Sequence, residues 1–163
     1  GCYYVASLTR LQELLKHDFA GFARGNAECC LSHPIDPHYQ ALLVAETLKA
    51  SPAGLAHLMA DHTALDWRPL LPRIRTPTLV LAGKMSQIFP WEGVVAVAEM
   101  MTGASATTVM FPTCDHWLYI EDHAKFTALV ADFAANGKLT AVSESAGASL
   151  NTFAVGGTEP APP

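Results

Sequence analysis

Cys114-Asp115-His116-Trp117 follows an apolar run, Thr107-Thr108-Val109-Met110-Phe111, with only Pro112 and Thr113 between them. A histidine delivered by a loop at the end of such a run is a candidate general base, because an ordinary imidazole titrates near neutral pH and can take up a proton and return it. Asp115 adjoins it in sequence. Adjacent side chains rarely orient each other's rings, so Asp115 fits a carboxylate that caps the loop, and Trp117 fits packing beneath it. Other polar clusters carry less. His33 with His38, and His57 with His62, are each five apart. Two histidines that grip zinc from one helix face stand four apart, so no metal site is expected. Cys29 and Cys30 are vicinal, a spacing that seldom meets disulfide geometry, and read as buried filler. Asp66 and Arg68 fit either a brace between segments or a solvated pair.

The elements that would hold His116 can be read on either side of it. Thr78-Leu79-Val80-Leu81-Ala82-Gly83 is continuously apolar and flanked by Pro77, which suits a strand in a sheet covered on both faces. Pro90 opens a helix in which Val94, Val97, Ala98 and Met101 recur at helical spacing. With the run Thr107–Phe111 this makes a strand-helix-strand unit of a parallel sheet. Phe126, Leu129, Val130 and Phe133 mark the buried stripe of a closing helix that starts near Glu121 or Asp122. His116 then lies beyond a strand's carboxyl end, where open α/β sheets place their ligands.

Pro77 to Gly83, Pro90, Asp115-His116-Trp117, Glu121 and the helix from Phe126 to Phe133 together resemble the C-terminal part of an α/β-hydrolase. Asp66-Trp67-Arg68-Pro69-Leu70-Leu71-Pro72-Arg73-Ile74 is similar to the segment that leads those proteins into their seventh strand. The resemblance covers roughly residues 66–136. It implies an α/β fold class, the C-terminal portion of an α/β-hydrolase: a helical cap segment, then strand-helix-strand-helix of a parallel sheet, then a disordered tail. It also implies that His116 is the catalytic histidine, general base and then general acid toward a serine, and that Cys114 is a loop residue.

Two departures qualify the resemblance. The family's nucleophile sits in Gly-x-Ser-x-Gly on a sharp strand-to-helix turn. Gly103-Ala104-Ser105-Ala106-Thr107 and Gly147-Ala148-Ser149-Leu150-Asn151 come nearest, and both lack the final glycine and that context. Many members carry the triad's acid three residues after the glycine that ends the seventh strand, where Ser86 stands here. A serine cannot hold negative charge against an imidazolium, so Ser86 is expected to bond local backbone in its turn. The acid is then expected after the sixth strand, upstream of Gly1 together with the nucleophile. The chain starts without an initiator methionine and reads as the C-terminal half of a longer enzyme, inactive by itself.

Residues 1–65 read as helical. Leu8, Leu11, Leu15, Phe19 and Phe22 form one stripe, and Asp36-Pro37 and Ser51-Pro52 each look like an N-cap followed by proline at the first helical position. The resemblance makes this segment a cap over the active site. Leu42, Leu48, Leu55 and Met59 fit helix-helix packing; within a cap they would partly line the substrate pocket. Residues 66–136 form the core portion. Residues 137–163, rich in Ser, Ala, Gly, Thr and Pro, are expected to be a disordered tail.

The 163 residues carry a formal net charge of -5, without the clustered Lys and Arg that nucleic acid requires. No apolar run is long enough to cross a bilayer. The four cysteines (Cys2, Cys29, Cys30, Cys114) follow neither disulfide-scaffold nor zinc spacing, which favours a reducing cytoplasm. The expected function is hydrolysis of an ester, lactone or related small acyl substrate by a Ser-His-carboxylate mechanism, with no cofactor. The resemblance leaves four alternatives open. One is a cofactor-free dioxygenase whose histidine-carboxylate pair deprotonates an organic substrate; the others are a haloperoxidase-like enzyme, a dehalogenase-like enzyme and a pseudo-hydrolase used for ligand binding or interaction.

Overall fold

A computed structural model describes residues 5–140, with side chains from residue 7 onward. Four helices come first: α1 (Val5–His17), α2 (Phe19–Cys29), α3 (Pro37–Thr47) and α4 (Pro52–Ala64). A 3₁₀ segment, Arg68–Arg73, leads into β1 (Thr78–Gly83). Then follow α5 (Trp91–Met100), β2 (Ala106–Phe111), the short α6 (Leu118–Glu121) and α7 (His123–Asn136). β1 and β2 pair in parallel from Thr78 opposite Ala106 to Gly83 opposite Phe111, and α5 packs on both strands. Parallel neighbours need such a crossover, since a tight turn cannot return the chain to the same end of the sheet.

The core beneath the strands gathers Val109, Phe111, Cys114, Leu118 and Leu129, with Leu79, Leu81, Phe126 and Leu139 packed against it. Each large apolar side chain fully buried there contributes about 1.5–3 kcal/mol. Lys125 closes one side. Its Nζ lies 4.4 Å from the centre of the Phe111 ring and donates to the Met110 carbonyl at 2.9 Å, so the ammonium meets a π face and a carbonyl together.

Local signals place the helix ends. Asp36 accepts the His38 N–H at 2.8 Å and Ser51 the Gly54 N–H at 3.2 Å, each with proline at the start of its helix, as the sequence leads one to expect. Asp122 caps α7 by accepting the Lys125 N–H at 3.1 Å. Gly137, at φ 66°, ends that helix in the left-handed conformation that a side chain disfavours.

Several expectations are corrected. The stripe from Leu8 to Phe22 does not run along one helix: Asp18 takes the N-cap position of α2, accepts the Gly21 N–H at 2.8 Å and turns the chain. Leu42 and Leu48 are 47% and 44% exposed, and α3 buries no residue, so they are not helix-helix core. β1 is not sheathed on both faces. Thr78 to Leu81 are half-buried and only Ala82 and Gly83 are buried, because among the described residues the sheet has two strands. β2 begins one residue early, at Ala106, and Pro90 stands at the N-cap rather than inside α5. Asp66 accepts from Arg68 N, Nε and an Nη (3.1, 2.8 and 2.6 Å) with both side chains exposed. These bonds hold the Asp66 carboxyl down to about 2, yet they form a solvated local pair and not a brace.

The expected boundary before residue 137 also moves. Leu139 packs on the core, and Thr140 bonds Asp132 through its N–H (2.6 Å) and its hydroxyl (2.9 Å), so the folded chain runs through Thr140. The remainder of the expected tail and Cys2 lie outside the described residues.

Candidate functional site

The His116 loop is an extension of the sheet. Beyond the last strand pair the Lys84 N–H donates to Phe111 O at 2.9 Å and the Met85 N–H to Cys114 O at 3.0 Å, so the loops after β1 and β2 zip together. Gly83 makes this approach possible. A Cβ there would lie inside the van der Waals shell of the Asp115 carbonyl oxygen and 2.8 Å from that of Cys114, and both are backbone atoms that cannot swing aside.

Asp115 is 1% exposed. Its Oδ1 accepts the Gln87 N–H at 3.1 Å and the His116 N–H at 2.6 Å, and Gln87 Nε2 stands 3.4 Å from Oδ2. The carboxylate straps the two loops through backbone donors, the capping role its position predicts. Ser86 also acts locally: its hydroxyl accepts the Phe89 N–H at 3.2 Å. Ser86→Ala is therefore expected to cost about 1 kcal/mol of stability or less, read as a denaturation midpoint.

His116 itself is half-buried. Its ring lies 5.3 Å from that of Phe89, tilted by 55°, and Phe89 in turn meets the edge of His62 from α4 at 6.1 Å. Burial pushes the His116 pKa below its ordinary 6.5, with the Asp115 charge opposing more weakly. The shift favours the neutral imidazole, the form with a lone pair to offer.

Behind the loop stands Glu121, with a fully buried side chain. It accepts the Asp115 N–H at 2.5 Å, the Ser32 N–H at 2.6 Å and the Ser32 hydroxyl at 2.7 Å, and lies 3.2 Å from His33 Nδ1. Two further bonds run beside it: Ser32 Oγ reaches Thr113 O at 2.8 Å, and the Trp117 N–H donates to Cys30 O at 3.0 Å. Sequence reasoning quotes Glu121 without a role, and nothing in the spacing pairs it with a serine 89 residues away.

The remaining candidates stand apart from His116. Burial, with Glu121 adding its charge, raises the Cys114 thiol, which withdraws it from thiolate chemistry. Cys30 is pushed up to about 12, first by burial, and its Sγ lies 4.0 Å from that of Cys29 with both thiols free. His33 turns to Glu121 and His38 to the Tyr39 ring. Among the described residues no three His, Cys, Asp or Glu side chains gather as metal ligands, and no helix is long and apolar enough to cross a membrane.

No protein family's sequence profile matches the chain. It is 38% identical over 66 residues to the 2-hydroxymuconate semialdehyde hydrolase of Pseudomonas sp. (strain CF600), a stretch of 40% of this chain and 23% of that enzyme. It is 38% identical over 76 residues to the 2-hydroxy-6-oxo-6-phenylhexa-2,4-dienoate hydrolase of Delftia acidovorans, or 46% of this chain and 26% of that enzyme. The matches thus span about a quarter of the curated relatives' length. Among solved structures, an esterase from Exiguobacterium antarcticum superposes with a TM-score of 0.75 at 22% identity, covering 80% of this chain and 48% of that one. A thermophilic esterase from Thermogutta terrifontis gives 0.65 at 21% identity, covering 80% and 49%. With β1, α5 and β2 in parallel order and a loop carrying His116 at the sheet's end, the chain has a partial α/β-hydrolase fold.

Proposed function

We propose that the protein is a hydrolase of an ester, lactone or related small acyl substrate, in which His116 serves as general base and then general acid toward a serine. The observation that carries this is the placing of His116: beyond the carboxyl end of β2, on a loop strapped by Asp115, with a half-buried ring held below its ordinary pKa. A neutral imidazole takes the hydroxyl proton as the serine attacks the carbonyl carbon, and returns it to the leaving group as the carbon–leaving-group bond breaks. Water then repeats the sequence on the acyl-enzyme. On this proposal the serine and the triad's acid come from sequence preceding residue 1, since the 163 residues contain no Gly-x-Ser-x-Gly.

The helical segment, residues 1–65, is assigned as the cap. Supporting this, α4 brings His62 against Phe89 and through it toward His116, while Ser32 bonds the histidine loop directly. The names of the curated relatives also suggest a substrate class to try, since both specify a conjugated 2-hydroxy acid with an aldehyde or ketone.

The complete protein, assayed on p-nitrophenyl esters, small lactones and a 2-hydroxy-6-oxo-dienoate, is expected to release acid in step with product and to take up no oxygen. An acid limb in kcat/KM is expected, because a proton on His116 removes the lone pair that a general base needs. Oxygen uptake matching product would instead identify a dioxygenase, and a kcat/KM profile with no acid limb would contradict the placing of the base.

A further inference from the structure

The buried Glu121 carboxylate joins two parts of the chain that sequence keeps far apart. From the segment after α2 it takes the Ser32 N–H (2.6 Å) and hydroxyl (2.7 Å), with His33 Nδ1 at 3.2 Å; from the histidine loop it takes the Asp115 N–H at 2.5 Å. The Asp115 carboxylate then accepts the N–H of His116 itself. An unbroken line of bonds therefore runs from Ser32 through Glu121 and Asp115 to the backbone of the proposed base.

We propose that Glu121 is a positioning residue: by gripping Ser32 and Asp115 at once, it fixes where the His116 loop stands relative to the helical segment, so that the base is aimed only when that segment is docked. This rests on the proposed general-base role of His116. The hydrogen-bond inventory gives the reason. Ser32 Oγ carries one proton and has two acceptors in reach, Thr113 O at 2.8 Å and Glu121 Oε1 at 2.7 Å, while His33 Nδ1 lies 3.0 Å from it. The two backbone N–H donors have no such freedom. Asp115 N points at Oε2 and Ser32 N at Oε1, so both oxygens of Glu121 must accept. A glutamine offers one acceptor and one amide NH₂, and whichever end the NH₂ occupies it faces a backbone donor. One side of the grip must open, which leaves the loop held to the helical segment by the Ser32–Thr113 and Trp117–Cys30 bonds alone.

The test uses the complete enzyme with p-nitrophenyl butyrate, with kcat expressed per active site from the burst of nitrophenol. Glu121→Gln is expected to lower kcat by about 10²-fold with KM unchanged, the loss that follows a small misplacement of a catalytic group. A role in stability alone would lower the number of active sites and leave kcat per site untouched. Ser32→Ala, which keeps both backbone donors but removes the hydroxyl's bonds to Glu121 and Thr113 O, is expected to lower kcat by less than about fivefold, and the double variant to fall short of the product of the single losses, because part of Ser32's hold passes through that carboxylate. Wild-type kcat in folded Glu121→Gln, or losses that multiply in the double variant, would overturn the proposal. If Glu121→Gln does not fold, Glu121→Asp decides: its shorter side chain cannot reach both backbone donors, so wild-type kcat there overturns the proposal. His116→Ala measured in parallel separates the two levels, since activity without the imidazole removes the general base, whereas an inactive His116→Ala beside an unaffected Glu121→Gln removes only the positioning role.

Discussion

In the complete enzyme, His116→Ala is expected to lower kcat by about 10⁴ to 10⁶ while the protein remains folded, as loss of one member of a nucleophile-base-acid set does. Two features separate the chemical effect from the structural one. The ring is half-buried, and its described ring contact is with Phe89. The loop is held by backbone bonds that an alanine retains: the His116 N–H still reaches Asp115 Oδ1, and Asp115 N–H still reaches Glu121. The stability loss should therefore be about 1 kcal/mol, the range of modest side-chain truncations. Stopped-flow measurement of the acylation step, with chemical denaturation of the same sample, tests both halves. A folded variant with wild-type kcat would falsify the assignment of the base.

Gly83→Ala should do the opposite, damaging the fold first and activity in consequence. The added methyl meets the carbonyl oxygens of Asp115 and Cys114, the second of which accepts the Met85 N–H where the two loops zip together. Overpacking a well-filled site costs about 1–3 kcal/mol and more where only backbone can yield, so a loss of at least about 3 kcal/mol is expected. Gly93 supplies the control. It lies in α5 with nothing within 4 Å of an added Cβ, so alanine there should stabilise by roughly 0.5–1 kcal/mol. Urea midpoints for the two variants should shift in opposite directions; an unshifted Gly83→Ala would show that the loops separate more readily than their bonds suggest.

The strand-helix-strand unit and the site loop were legible because each is encoded by neighbours in sequence. The apolar run to Gly83, the helical spacing of Val94, Ala98 and Met101, and the short step from Phe111 to His116 are local patterns, and local propensity and tertiary packing agree there. The caps at Asp36 and Ser51 were legible for the same reason. Asp18 was not, because a stripe of Leu and Phe at helical spacing continues through it, and a buried stripe is compatible with one helix or two. Leu42 and Leu48 misled in another way: apolar periodicity says which face of a helix is apolar and not whether a partner covers it. The fully buried join at Glu121 was silent in the sequence, since a glutamate four residues from a tryptophan has the look of a solvated helix residue. Only the fold brings Ser32 to it. The fastening of Thr140 to Asp132 was hidden by composition, which marks where ordering entropy is hard to offset and not where a single carboxylate can hold the chain.

Three of the fastenings of the histidine loop enclose loops of very different length. Asp115 to Glu121 spans 6 residues, Gln87 to Asp115 spans 28, and Ser32 to Glu121 spans 89. Because closure entropy grows with the logarithm of length, drawing Ser32 to Glu121 costs about 1 kcal/mol more than drawing Gln87 to Asp115. The inner two form inside the strand-helix-strand unit; the outer one requires that unit and the helices to meet. The loop's shape and its aim thus belong to different stages of ordering. The sheet end can shape the His116 loop early, whereas its grip on the helical segment waits for the widest closure in the site and is the first contact that a loosening chain would give up.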